Sequence, residues 1–194
     1  MQSVLEKILA PVAKNYKELS VRISTAFPNL YTLAEASVEQ ISDALGGDMQ
    51  TSIYIKLGFA LASRRVTDSY KPGKKYSVQQ TKNYLKALLF TAPSESIYLL
   101  SFDGTGRFIA ADALGDGIVN ISALTPRRAI DVALRRGAKE VIFAHNHPGG
   151  EAYPSEDDVH SNGILKRAFS DSSIKYLGHY IVAAGECVAI ESED

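Results

Sequence analysis

The sequence predicts an α+β fold: a helical N-terminal part followed by a mixed, mainly antiparallel sheet flanked by helices. Two observations carry this. Apolar residues recur at helical spacing with no strand-like alternation before about residue 95. Beyond it, apolar strand patterns alternate with helical ones, and two hairpin signals interrupt them. A third observation divides the chain. Residues 1–77 carry ten Lys or Arg against seven Asp or Glu, and residues 78–194 carry eleven against fifteen. The polar stretch Lys71-Pro72-Gly73-Lys74-Lys75 lies at this boundary and reads as a linker. The expected division is a small helical domain over 1–75 and an α/β domain over 76–194.

In the first part, Val4, Leu5, Ile8, Leu9 and Val12 repeat at helical spacing. Leu30, Leu33 and Ala34 follow Pro28, Ser37 opens Val38–Leu45, and Ile53–Arg65 carries Leu57, Ala60 and Leu61. A bundle of four or five short helices is expected. In the second part, Gln79–Phe90 is a helix, Ser96–Phe102 a strand, and Asp103-Gly104-Thr105-Gly106 a turn into Arg107–Ala113. Thr125 as N-cap and Pro126 at the first helical position start Pro126–Arg136, which Gly137 ends. Val141–Ala144 is a buried strand running into His145, and Ser155–Phe169 is a helix. Lys175–Ala183 and Glu186–Glu191 close the chain as a hairpin about Ala184-Gly185.

Composition narrows the function. Apolar residues make up 45% and charged residues 22% of 194, values of an ordinary globular chain. No apolar run approaches the roughly 20 residues of a membrane helix, and Glu6 and Lys7 interrupt any N-terminal secretory signal. The one cysteine, Cys187, excludes an internal disulfide and a multi-cysteine zinc site. A cytoplasmic protein is expected. A net charge of −1 gives no global case for nucleic acid.

The informative stretch is His145-Asn146-His147-Pro148-Gly149-Gly150 followed by Ser155 and Asp158. Side chains two apart at a strand end point the same way, so both imidazoles can meet one ion. The glycine-rich turn leads to a helix with Ser155 as N-cap and Asp158 at its third position. An acid there is favoured by the helix dipole and can be aimed back at the turn. Two imidazoles and a carboxylate leave a fourth position for water, the pattern of a catalytic zinc site. Either half alone reads equally well as structural: hydrogen-bonded strand-end histidines, or a capping-box variant. A zinc hydrolase also needs a general base. Glu95, Glu140, Glu151 and Glu156 are available, and spacing alone does not choose among them.

His-x-His, seven residues, then Ser-x-x-Asp is the motif of the JAMM (MPN+) metalloproteases, and His145, His147, Ser155 and Asp158 match it without a gap. The chain most resembles the RadC-like JAB branch, whose His-Asn-His-Pro-Ser-Gly differs from His145–Gly150 only at Gly149. The resemblance covers about residues 78–191. It extends to Thr125-Pro126-Arg127-Arg128, to Glu95 with Asp103, and to His179, where Gly178 replaces the branch's Asp. It implies a cytidine-deaminase-like architecture. It assigns His145, His147 and Asp158 to one zinc ion per chain, Glu95 to the base, and Ser155 to the oxyanion of a tetrahedral intermediate. Ser155 can cap its helix and serve an oxyanion, because a hydroxyl both donates and accepts. His179 reads as structural. The implied substrate is a peptide or an amide conjugate.

The N-terminal part resembles the branch's helix-hairpin-helix region loosely, since Leu45-Gly46-Gly47-Asp48 replaces its Gly-hydrophobic-Gly turn. A DNA-associated accessory protein of repair or mobile elements is the second reading, and a metal-binding scaffold without turnover the third. A homo-oligomer is compatible with each of these. The contiguous His145-Asn146-His147 does not have the spread spacing of the HNH nucleases. The pairs Arg64-Arg65, Lys74-Lys75, Arg127-Arg128 and Arg135-Arg136 read as solvated faces, and Cys187 as a core thiol.

Overall fold

The computed structural model describes residues 1–116 and 126–190. The expected N-cap Thr125 and the strand end at Glu191 lie outside them. Five helices come first: α1 (Gln2–Leu9), α2 (Tyr16–Ala26), α3 (Leu30–Glu35), α4 (Val38–Ala44) and α5 (Met49–Thr67). Then follow α6 (Val78–Leu89), β1 (Ser96–Phe102), β2 (Phe108–Asp116), α7 (Pro126–Arg136), β3 (Glu140–Asn146), α8 (Glu156–Asp171), β4 (Lys175–Ala183) and β5 (Glu186–Ala189). The fold is α+β, with a five-stranded sheet in the order β2-β1-β3-β4-β5. The β3–β4 pair is parallel and the other three are antiparallel, so the sheet is mixed as the sequence indicates.

Period-two alternation gives the sheet two apolar faces. Ile97, Leu99, Val141 and Phe143 face α7 and α8, where they meet Ala129, Ala133, Leu165 and Phe169. Leu100, Phe102, Ile142, Ala144 and Val182 face α6 and its Tyr84, Leu85 and Leu89. Each buried Leu or Phe contributes roughly 1.5–3 kcal/mol, so both helical layers are held by the sheet. The helical part has its own core of Leu5, Leu9, Leu19, Ile23, Leu33, Ile41 and Ile55.

Local differences from the sequence reading have physical causes. The first helix stops at Leu9, ahead of Pro11, and only its Leu5 and Leu9 are buried; Val4, Ile8 and Val12 are exposed. In α5, Asp48 accepts from Thr51 N at 3.0 Å, so this cap starts the helix at Met49 rather than Ile53. Its inward residues are Thr51, Ser52 and Ile55, while Ile53, Leu57 and Leu61 are exposed, Leu57 and Leu61 beside Val4 and Ile8. The stretch at Lys71–Lys75 is tied to the sheet: Gly73 N donates to Phe108 O, Phe108 N to Lys74 O, and Tyr70 stacks on Tyr76 and Tyr84. Arg136 does not stand free on a solvated face but forms a forked ion pair with Asp112 on β2. The closing hairpin turns at Ala184 and Gly185, both at positive φ (48° and 83°), as a two-residue turn matched to strand twist requires.

Candidate metal centre

His145 lies at the end of β3 on the face of Val141 and Phe143, and α8 crosses that face. The buried residues of α8 are Asp158, Ser161, Asn162, Leu165 and Phe169, so Asp158 sits on the helix's inward stripe, in line with the apolar contacts. Two elements therefore deliver an imidazole and a carboxylate to one point. His145 Nε2 is 2.9 Å from His147 Nε2 and 3.2 Å from Asp158 Oδ1, and His147 Nε2 is 3.3 Å from Asp158 Oδ2. One ligand atom from each of the three lies within 4.8 Å of the others, a group that can hold a metal ion. Corners of a tetrahedron about 2 Å from its centre stand about 3.3 Å apart, so the spacing fits a zinc-sized ion.

The free lone pairs are fixed from behind. His147 Nδ1 faces Glu151 O at 3.1 Å, so Nδ1 carries a hydrogen and Nε2 is the nitrogen turned to the centre, the one that would offer its lone pair to an ion. His145 Nδ1 faces His179 Nε2 at 2.7 Å; for Nε2 of His145 to be a ligand, Nδ1 must donate to His179. His179 then carries its own hydrogen on Nδ1, a buried atom without a hydrogen-bond partner among the described residues. His179 is fully buried and packs edge-on against Phe143 at 5.0 Å. A β-bulge aims it there. The β3–β4 register shifts between Val141 and Phe143, opposite Tyr176 and His179, and Gly178 sits in the bulge at φ +138°. That backbone favours glycine, which accounts for Gly178 in this chain.

Electrostatics agree with the geometry. Burial alone would raise the Asp158 carboxyl, but its contacts with His145, His147 and Ser155 outweigh this and hold it well below the usual range. Burial lowers His145, and Asp158 only partly offsets it. The Asp158 contact raises His147. Burial takes His179 well below the ordinary histidine value, consistent with a neutral ring.

Ser155 caps α8 and orients its acid. Its hydroxyl accepts from Asp158 N at 3.2 Å and donates to Asp158 Oδ2 at 2.7 Å, and its N–H donates to the same oxygen at 2.8 Å. The hydroxyl hydrogen thus lies on Asp158, leaving Oδ1 the freer oxygen.

Glu95 precedes β1. The β1–β3 pairing ends where Ile97 meets His145; Glu95 lies two residues beyond Ile97 at that end, as His147 lies two residues beyond His145. Burial is the main influence raising its carboxyl; His147 lowers it and Asp158 raises it further, so both are within electrostatic reach. Asn146, on the opposite face to His145, pins the segment that carries Glu95. Its Oδ1 accepts from Ser96 N at 2.8 Å, and its Nδ2 donates to Ser94 O at 3.3 Å and Ala92 O at 3.4 Å. Asn146 is a site residue that sequence reasoning misses; its signal in the sequence is an amide between two candidate ligands at a strand end.

The other acids stand apart. Glu140 pairs with Lys175 at the far end of β3, Glu151 is exposed and contributes its carbonyl, and Glu156 is exposed in the first turn of α8. Asp103 holds the β1–β2 turn, accepting from Thr105 N at 2.8 Å and Arg107 N at 3.0 Å. Among the described residues no helix is long and apolar enough to cross a membrane.

The sequence profile of the RadC-like JAB domain matches residues 76–194. Curated relatives include a UPF0758 protein of Vibrio cholerae, 32% identical over 164 residues, covering 84% of this chain and 73% of the relative. Another UPF0758 protein, from Photobacterium profundum, is 31% identical over 182 residues, covering 92% and 80%. A third, from Dechloromonas aromatica, is 33% identical over 161 residues, covering 79% and 69%. With the match spanning the sheet, α6 to α8 and the His-His-Asp group, the chain belongs to the RadC-like JAB domain family.

Proposed function

We propose that the chain is a zinc-dependent hydrolase of amide bonds in a peptide or an amide conjugate. The observation that carries this is the convergence of two imidazole Nε2 atoms and a buried carboxylate, with a half-buried acid, Glu95, within electrostatic reach of His147 and Asp158. His145, His147 and Asp158 would hold the ion. Bound zinc supplies Lewis-acid polarisation of a carbonyl and acidifies a water.

Glu95 takes the proton from the attacking water and passes it to the leaving amine. Its raised carboxyl suits this, because a base works best when its pKa approaches the working pH. The Asn146 contacts keep Glu95 aligned through the cycle. Ser155 donates to the developing oxyanion once its hydroxyl rotates away from Asp158, which retains the Ser155 N–H.

Glu95→Gln tests the reading. The variant should bind zinc as the wild type does and hydrolyse a panel of peptide and isopeptide amides about 10²–10⁴-fold more slowly. An unchanged rate removes Glu95 from the reaction.

A further inference from the structure

We infer that Glu35, on the helical part of the chain, is a positioning residue of the metal centre, acting through the turn that follows His147. This rests on the metal reading of the site and not on hydrolysis. Glu35 Oε2 accepts a hydrogen bond from Gly149 N at 2.9 Å, across 114 residues of sequence. Gly149 stands at φ +68°, in a left-handed turn that wraps His147. In that turn Gly150 N donates to His147 O at 3.1 Å, and a Cβ at Gly150 would lie 3.3 Å from His147 Cβ. The next residue, Glu151, gives the carbonyl that holds His147 Nδ1.

The path is thus short and made of directed contacts. Glu35 fixes the Gly149 amide, the fixed amide holds the turn, and the turn places the Glu151 carbonyl that orients the His147 ring. Without an outside acceptor, two successive glycines leave this turn the softest part of the centre.

Glu35 is itself held. Lys56 of α5 donates to Ala34 O and lies close enough for Glu35 to oppose the lowering of its ammonium by burial. The Tyr31 ring of α3 lies flush on Gly185, where an added Cβ would collide with it, and packs edge-on against Phe90 at 5.6 Å. The β4–β5 turn and the end of α6 therefore seat α3 over the metal-binding turn. The helical part is thereby a component of the site rather than an appendage.

The full-length chain, with Glu35→Ala, Glu35→Gln and the exposed control Glu39→Ala, tests this. Amide exchange at Gly149 in the metal-free protein and zinc affinity by chelator competition are the readouts. Glu35→Ala should speed exchange at Gly149 and weaken zinc binding about tenfold, the low end for a residue that orients a ligand from outside the coordination sphere. Glu35→Gln, which keeps an acceptor, should restore most of both, and Glu39→Ala should change neither. A zinc-binding wild type whose Gly149 exchange and affinity survive Glu35→Ala overturns this inference alone. A wild type that binds no zinc overturns the metal reading on which it rests.

Discussion

His145 Nδ1 and His179 Nε2 meet at 2.7 Å, with both rings fully buried. This contact sets which nitrogen of His145 is available at the centre. His179→Phe keeps the buried ring volume but removes the acceptor, so His145 can no longer hold its hydrogen on Nδ1 through this bond. Zinc affinity should fall about 10–100-fold, the usual result of removing a partner that orients a ligand. Titration of the variant against a metal chelator checks this; equal affinity would show that the contact is packing only.

Ser155→Ala separates two roles of one hydroxyl. Loss of the cap should destabilise the fold by about 1 kcal/mol, read by denaturant unfolding. Loss of the bond to Asp158 Oδ2 should also weaken zinc binding. If turnover falls while affinity is unchanged, Ser155 serves the oxyanion and does not set the carboxylate.

Tyr70 and Tyr84 make the fold sensitive to alkali. Burial pushes both phenols up to about 12 from an ordinary value near 10. Above pH 10 the unfolded chain loses these protons before the folded one, so stability should fall as pH rises from 10 to 12. Their contribution is fully present below that window. Tyr84→Phe should flatten the slope in denaturant melts taken across it; an unchanged slope would place the sensitivity elsewhere.

Much of this architecture can be read from residue order, because the signals are local. Pro126 and Gly137 bound α7, capping residues open α4 and α8, and Ala184-Gly185 turns the last hairpin. The His145, His147 and Asp158 group is legible for the same reason: strand and helix periodicities place each side chain without long-range knowledge. What residue order hides depends on tertiary contact. The outward face of α5 is as apolar as its inward one, so spacing misassigns which side is buried. His179 looks like a core residue until the bulge at Gly178 turns it toward His145. Glu35 and Gly149 meet through tertiary packing, with α3 seated on the β4–β5 turn and the end of α6.

The metal content of the purified chain bears most directly on this account. The wild type should carry one zinc ion per chain, and His147→Ala, which removes one of the three proposed ligands while leaving both sheet cores intact, should carry none above background. Equal zinc in the two proteins, or none in the wild type after incubation with zinc, would contradict it.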